Sequence, residues 1–195
     1  DSTINYTGLE PISSTINATN VTLNYSAAAE TITVTDPGGG QTTVNSTAGE
    51  VTTFNNPTGT LTINAGGTND DIVNITTLFA SYPANVVIDG EGGNDTINVN
   101  GALTLGAGEN LTLTAETIAQ SAPITVPGTT TLDAGTGTIT LTDVNNDFQG
   151  DVTIVNAGTS ASINDVNAIE FGDVTAAALT VNAAGAITDD AGGVT

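Results

Sequence analysis

Two stretches between residues 61 and 100 repeat one another, and that repetition limits the fold more than any other feature. Leu61-Thr-Ile-Asn-Ala-Gly-Gly-Thr-Asn-Asp-Asp-Ile-Val-Asn-Ile75 is followed by Val86-Val-Ile-Asp-Gly-Glu-Gly-Gly-Asn-Asp-Thr-Ile-Asn-Val-Asn100. At an offset of 25 residues, Leu61 meets Val86, Ile63 meets Ile88, Asp70 meets Asp95 and Ile72 meets Ile97. Each copy alternates apolar and polar residues, turns on Gly, Asn and Asp, and alternates again. Alternation at period 2 is the pattern of a half-buried strand. A fixed repeat of this length is the mark of a chain that coils rung on rung. The expected fold is all-β, a parallel β-helix (β-solenoid).

The remaining sequence extends that reading. Residues 61–195 are read as solenoid rungs, with short strand candidates such as Asn110-Leu-Thr-Leu-Thr114, Gly137-Thr-Ile-Thr-Leu-Thr142 and Asp151-Val-Thr-Ile-Val155. Gly, Asn or Asp separates most of them, and Thr and Asn are expected to face outward in ladders. Residues 1–60 are read as N-terminal strands forming an antiparallel β cap or subunit junction. Their candidates include Thr3–Thr7, Thr15–Tyr25, Glu30–Thr35 and Glu50–Phe54, with a turn at Asp36-Pro-Gly-Gly-Gly40. The bulkier Thr77–Ala84 is expected to bulge from the rod or to form a short helical turn over the core.

The charge balance narrows function. The chain has 21 acidic residues and no Lys, Arg or His, for a net charge of −21. No side-chain ion pair can form, and self-repulsion opposes compaction. Without a basic group to neutralise phosphate, nucleic acid is excluded as a partner. No apolar run approaches the roughly 18 residues of a transmembrane helix, so no membrane insertion is expected. Cysteine is absent, which rules out disulfides and thiolate chemistry. With no His, Cys or Lys, the usual bases and nucleophiles are missing too, and the expectation is a non-enzyme. A carboxylate-only glycoside hydrolase is the remote alternative.

The turns supply the one ligand hypothesis. Gly90-Glu-Gly-Gly-Asn-Asp-Thr-Ile97 resembles the nonapeptide calcium repeat of RTX proteins, departing from it at Glu91. The upstream Ala65-Gly-Gly-Thr-Asn-Asp-Asp-Ile72 departs at Ala65 and Thr68. Ca²⁺ prefers hard oxygen ligands. The candidate metal residues are therefore Asp70, Asp71, Asp89, Glu91 and Asp95, with Asn69 and Asn94 beside them. The same residues also make an ordinary turn with no metal. Asp143, Asp147 and Asp151 read as a solvated edge.

From Gly137 to Ile154, and again from Leu179 to Thr188, the chain resembles the β-helix repeats of filamentous-haemagglutinin-like bacterial surface proteins. Ile4–Ile12 and Thr53–Asn64 resemble modules repeated in very large exported bacterial proteins. These resemblances imply a right-handed β-helix in an extracellular filament, sheath or giant surface adhesin. A solenoid ends in open strand edges, and no capping helix is legible in Gly185–Thr195. The expected partners are copies of the chain or adjacent modules, stacked head to tail. The alternative is an adhesin domain that binds a glycan or a surface.

Overall fold

The computed structural model describes residues 11–78 and 80–190. The strand expected at Thr3–Thr7 and the last residues of the C-terminal stretch, 191–195, lie outside the described residues.

No helix occurs among the described residues, and parallel stacked sheets form a β-solenoid of about 6 turns. The chain opens with β1 (Ile12–Ser14), β2 (Asn20–Asn24), β3 (Thr31–Gly38), β4 (Gln41–Ser46) and β5 (Thr52–Asn55). It continues through β6 (Thr60–Asn64), β7 (Ile72–Ile75), β8 (Asn85–Asp89), β9 (Thr96–Val99), β10 (Leu103–Thr104) and β11 (Leu111–Thr114). Then come β12 (Thr117–Gln120), β13 (Ile124–Val126), β14 (Thr130–Asp133), β15 (Thr138–Leu141) and β16 (Asp147–Phe148). The last are β17 (Val152–Ala157), β18 (Ser160–Asp165), β19 (Ile169–Ala176), β20 (Leu179–Ala183) and β21 (Ile187–Asp189).

These strands make three faces. The first face runs β2-β6-β8-β11-β14-β17-β19-β21, the second β1-β5-β4-β3-β7-β9-β12-β15-β18-β20, and a narrow third face β10-β13-β16. All pairings are parallel except β3–β4 and β4–β5, which form an antiparallel meander within the second face. Asp36-Pro-Gly-Gly-Gly40 makes the first turn of that meander, as its turn chemistry demands.

Alternation decides what goes inside. On the second face Ile32, Val73, Ile97, Ile118, Ile139 and Ala161 align rung to rung and are fully buried. On the first face Ile63, Ile88, Leu113, Leu132 and Ile154 do the same. Each Ile, Val or Leu among them contributes roughly 1.5–3 kcal/mol by leaving water. Outside, Asn ladders join the rungs: Asn64 donates to Asn24 at 2.7 Å, Asn98 to Asn74 at 3.1 Å, and Asn182 to Asn164 at 3.0 Å.

The two aligned copies behave differently in their two halves. Their first strands pair at an offset of 25, Leu61 with Val86 and Ile63 with Ile88. Their second strands pair at 24, Ile72 with Thr96 and Val73 with Ile97. The turn from Gly90 to Asp95 is one residue shorter than that from Ala65 to Asp71. A one-residue slip exchanges the two faces of a strand. Ile72 consequently faces solvent, and Asp71 rather than Asp70 is the counterpart of Asp95.

The stretch Thr77–Ala84, expected to bulge or to form a short helical turn, contains no helix among its described residues. It lies against the third face, where Tyr82 makes a parallel bridge to Leu105. Tyr82 and Leu78 are buried. The Tyr82 hydroxyl lies 3.1 Å from the Thr42 hydroxyl, which donates to Asn56 Oδ1 at 2.8 Å. This polar link ties the meander to the first regular rung.

Candidate functional site

The corner between the first and second faces holds an unusual chemical feature. The residue immediately before each second-face strand is Glu30, Asp71, Asp95 and then Glu116 on successive rungs. Each falls in the inward register, two residues ahead of a core aliphatic: Ile32, Val73, Ile97 and Ile118. Glu30, Asp71 and Asp95 are buried, and Glu116 is half-buried.

The column is held by backbone amides. Glu30 N–H donates to Asp71 Oδ1 at 2.6 Å, Asp71 N–H to Asp95 Oδ1 at 2.8 Å, and Asp95 N–H to Glu116 Oε2 at 2.8 Å. Each carboxylate therefore satisfies an amide of the preceding rung, where the bend takes backbone acceptors out of line. At the column's head, Glu30 accepts from the hydroxyls of Ser26 and Ser46 and from Ser26 N–H at 3.0 Å. The column stops at Gly137. A Cβ at that position would lie 1.7 Å from the Glu116 carbonyl oxygen, so no side chain fits there.

This arrangement raises proton affinity. Burial pushes the Asp71 carboxyl above its ordinary value, and the charges of Glu30 and Asp70 add to that, while the Glu30 amide opposes it. Burial likewise raises Asp95, helped by Glu116, Asp71 and Asp70 and opposed by the Asp71 amide. Asp71 Oδ2 is buried with no hydrogen-bond partner. Tyr25, beside Glu30, is also raised, by burial first and then by the Glu30 charge.

The sequence-derived metal candidates separate into different places. Asp71 and Asp95 join the buried column. Asp70, Asn69, Asn94 and Glu91 are exposed, and Asp89 is half-buried. Asp70 Oδ1 accepts from Asn94 N–H at 2.8 Å, and Asn69 Nδ2 donates to the Ala27 carbonyl. Asp89 Oδ1 is engaged by Glu91 N–H at 2.8 Å. Glu91, standing where the RTX pattern has glycine, takes a φ of 66°, in the left-handed region that glycine favours. Among the described residues no group of three or more His, Cys, Asp or Glu is arranged to hold a metal ion.

Glu30 and Glu116 are the members that reasoning from the repeat alone overlooks. A recurring tripeptide marks them: Glu30-Thr-Ile32, Asp95-Thr-Ile97 and Glu116-Thr-Ile118, with Gly137-Thr-Ile139 next. An acid directly before an alternating strand is the readable sign of this corner.

Other acids do similar work. Asp36, Asp89, Asp133, Asp143 and Asp165 each accept the N–H two residues onward, closing a turn. Asp165, buried, also accepts Phe148 N–H at 2.8 Å.

No curated protein and no solved structure matches the chain. Two successive stretches, residues 92–155 and 158–195, match one family, and together they span just over half of the sequence. The chain therefore belongs to the DUF5649 family, repeats of unknown function.

Proposed function

We propose that this chain is a structural module, a β-solenoid unit of an extracellular bacterial filament, sheath or giant surface adhesin that stacks end to end. One observation carries the reading. Among the described residues, β1 and β20 end the second face and β2 and β21 end the first, each pairing on one side only. The aliphatic columns run out to these ends, where Val21, Leu23, Leu179 and Val181 are only partly covered. Unpaired strand edges over a half-covered core are a template for another rung. Family membership supports the same reading. Within this chain one matched stretch already stacks on the other, through Thr138–Leu141 against Ser160–Ile163.

An extracellular setting suits a chain free of cysteine and of the Lys and Arg that trypsin-like proteases need. Calcium enters the proposal as a screening cation for 21 carboxylates, gathered along exposed turns such as Asp70–Asn94. We propose no catalytic role, because the chain has no His, Cys or Lys to act as base or nucleophile; a carboxylate-only glycoside hydrolase is the remote alternative. Electron microscopy of the purified protein tests the reading. Fibres with an axial repeat support it. Monodisperse monomers at every concentration overturn it in favour of a ligand-binding adhesin domain. Melting with and without a chelator tests calcium, and an unchanged midpoint removes the metal.

A further inference from the structure

We propose that the β20–β21 arc is the docking surface for a second copy of this chain, which seats its β1–β2 arc there with Ile12 over Val181 and Ser13 over Asn182. This rests on the stacking reading above and specifies its joint.

The two terminal arcs are built alike. Each leaves the second face, turns a short corner without a third-face strand, and enters the first face. Each sits in parallel on an inner arc of the same kind. Ile12 pairs with Thr52 and Val21 with Leu61 at one end; Val181 pairs with Ile163 and Ile187 with Ile169 at the other. The same contact made between copies would repeat a geometry the chain already uses twice.

Register follows from the inward columns. At one end Val34, Val44, Thr52 and Ile12 align; at the other, Leu141, Ile163 and Val181 align. Val34 also continues through Ile75 and Val99 to Gln120, whose rung lies directly before that of Leu141. These positions form one column, and Ile12 over Val181 extends it across the joint.

The surfaces have suitable chemistry. An open groove at the C-terminal end is lined by Val144, Val166, Val181, Ala183 and Ile187, with the polar Asn164, Asn182 and Asp165 among them. Val144, Val166 and Ile187 are exposed. The opposite end presents exposed Ile16 with half-covered Val21 and Leu23. The β1–β2 arc carries no charge, since residues 11–29 contain no Asp or Glu, and the β20–β21 arc carries one acid, Asp189 at its end, in a chain of net charge −21. Stacking thus brings no two carboxylates directly together at the centre of the contact, where like charges would oppose it. Asp165 lines the groove and is engaged by Phe148 N–H, whereas Asp189 ends the arc itself. Asp189 aligns with Phe171 in the column that Val21 would continue, so it opposes the joint.

The test uses the natural absence of cysteine. Neighbouring strands lie about 4.8 Å apart, within the Cα range of a disulfide. Chains carrying Ser13→Cys are mixed with chains carrying Asn182→Cys under mild oxidation. A cross-linked heterodimer is expected. Ser13→Cys with Thr180→Cys, two residues out of register, should give none. Val181→Asp, checked by circular dichroism for folding, should raise the half-assembly concentration about tenfold or more, and Asp189→Asn should lower it. Fibres that persist in Val181→Asp and never cross-link through 13 and 182 overturn this joint while leaving stacking intact. Wild-type chains that stay monomeric overturn both.

Discussion

Gly137 tests how closely the rungs approach. A Cβ there would stand 1.7 Å from the Glu116 carbonyl oxygen and 2.6 Å from its carbon, whereas ordinary Cβ contacts begin near 3.0 Å. Relief requires the rungs to part by roughly 1.3 Å, more than a quarter of the roughly 4.8 Å strand spacing. The same Glu116 oxygen accepts Thr138 N–H at 2.8 Å, and that bond cannot survive such a displacement. Its loss costs about 0.5–1.5 kcal/mol, and overpacking adds about 1–3 kcal/mol. Gly137→Ala should therefore destabilise by about 2–4 kcal/mol in urea unfolding. Gly108→Ala is the control. Its φ is +80° and open space surrounds it, so only backbone conformation opposes the change, at about 1 kcal/mol. Equal, small losses in both variants would refute the close stacking of residues 116 and 137. Hydrogen exchange adds a spatial readout, since rungs couple mainly to neighbours. Gly137→Ala should loosen β12, β15 and β18 before β3.

The acidic column yields further predictions. Asp71 and Asp95 bind protons more tightly folded than unfolded, so their contribution is complete below the ordinary 3.8 and is lost as pH rises through the raised folded values. In chelator, Tm should fall with rising pH above the isoelectric point of about 4.1, and Asp71→Asn with Asp95→Asn should flatten the slope more than half-buried Asp143→Asn does. A slope unchanged by the pair refutes this. Asp71→Asn keeps an acceptor for Glu30 N–H and should hold or raise stability at pH 7, whereas Asp71→Ala orphans that buried amide and should cost about 1–3 kcal/mol by urea melt. Tyr82→Phe should cost about 0.5–1.5 kcal/mol through the lost Thr42 contact. A spectroscopic titration should find the Tyr82 phenol pushed up to about 12 by burial, with Thr42 opposing.

The architecture was legible because it depends on a pattern that many residues share. Alternating Ile, Val and Leu specify which side of a strand is inside, and no single misreading alters that. The candidate site was less legible because it depends on register at one corner. Asp70 and Asp71 are equally acidic neighbours, and only the length of the turn decides which points inward. The shorter second turn shifts the pairing by one residue and buries Asp71. Glu30 was hidden because the meander separates it by 41 residues from Asp71, far outside the 25-residue spacing of the legible copies. The place of Tyr82 is illegible for a related reason: the third face is too narrow to leave an alternating signature, so its contribution resembles a linker.

A chain without Lys, Arg or His has only hydroxyls and amides, of the backbone and of Asn and Gln, with which to oppose negative charge. The structure uses them at its corners. Bends leave amides without carbonyl partners, and carboxylates accept from them: Asp71, Asp95 and Glu116 between rungs, and Asp36, Asp89, Asp133 and Asp143 within turns. Acidity here is thus partly a way of building turns, which lessens the need to explain every Asp as a metal ligand. The match is incomplete at one atom of the column, Asp71 Oδ2, which is buried and unpartnered. Glu30 N–H holds Asp71 Oδ1, and burial together with the charges of Glu30 and Asp70 raises the energy of its ionised form. Fold and charge therefore oppose each other most directly at the step from Glu30 to Asp71, where the N-terminal meander meets the regular rungs. Rising pH should weaken that step before it disturbs the uncharged aliphatic columns further along the rod.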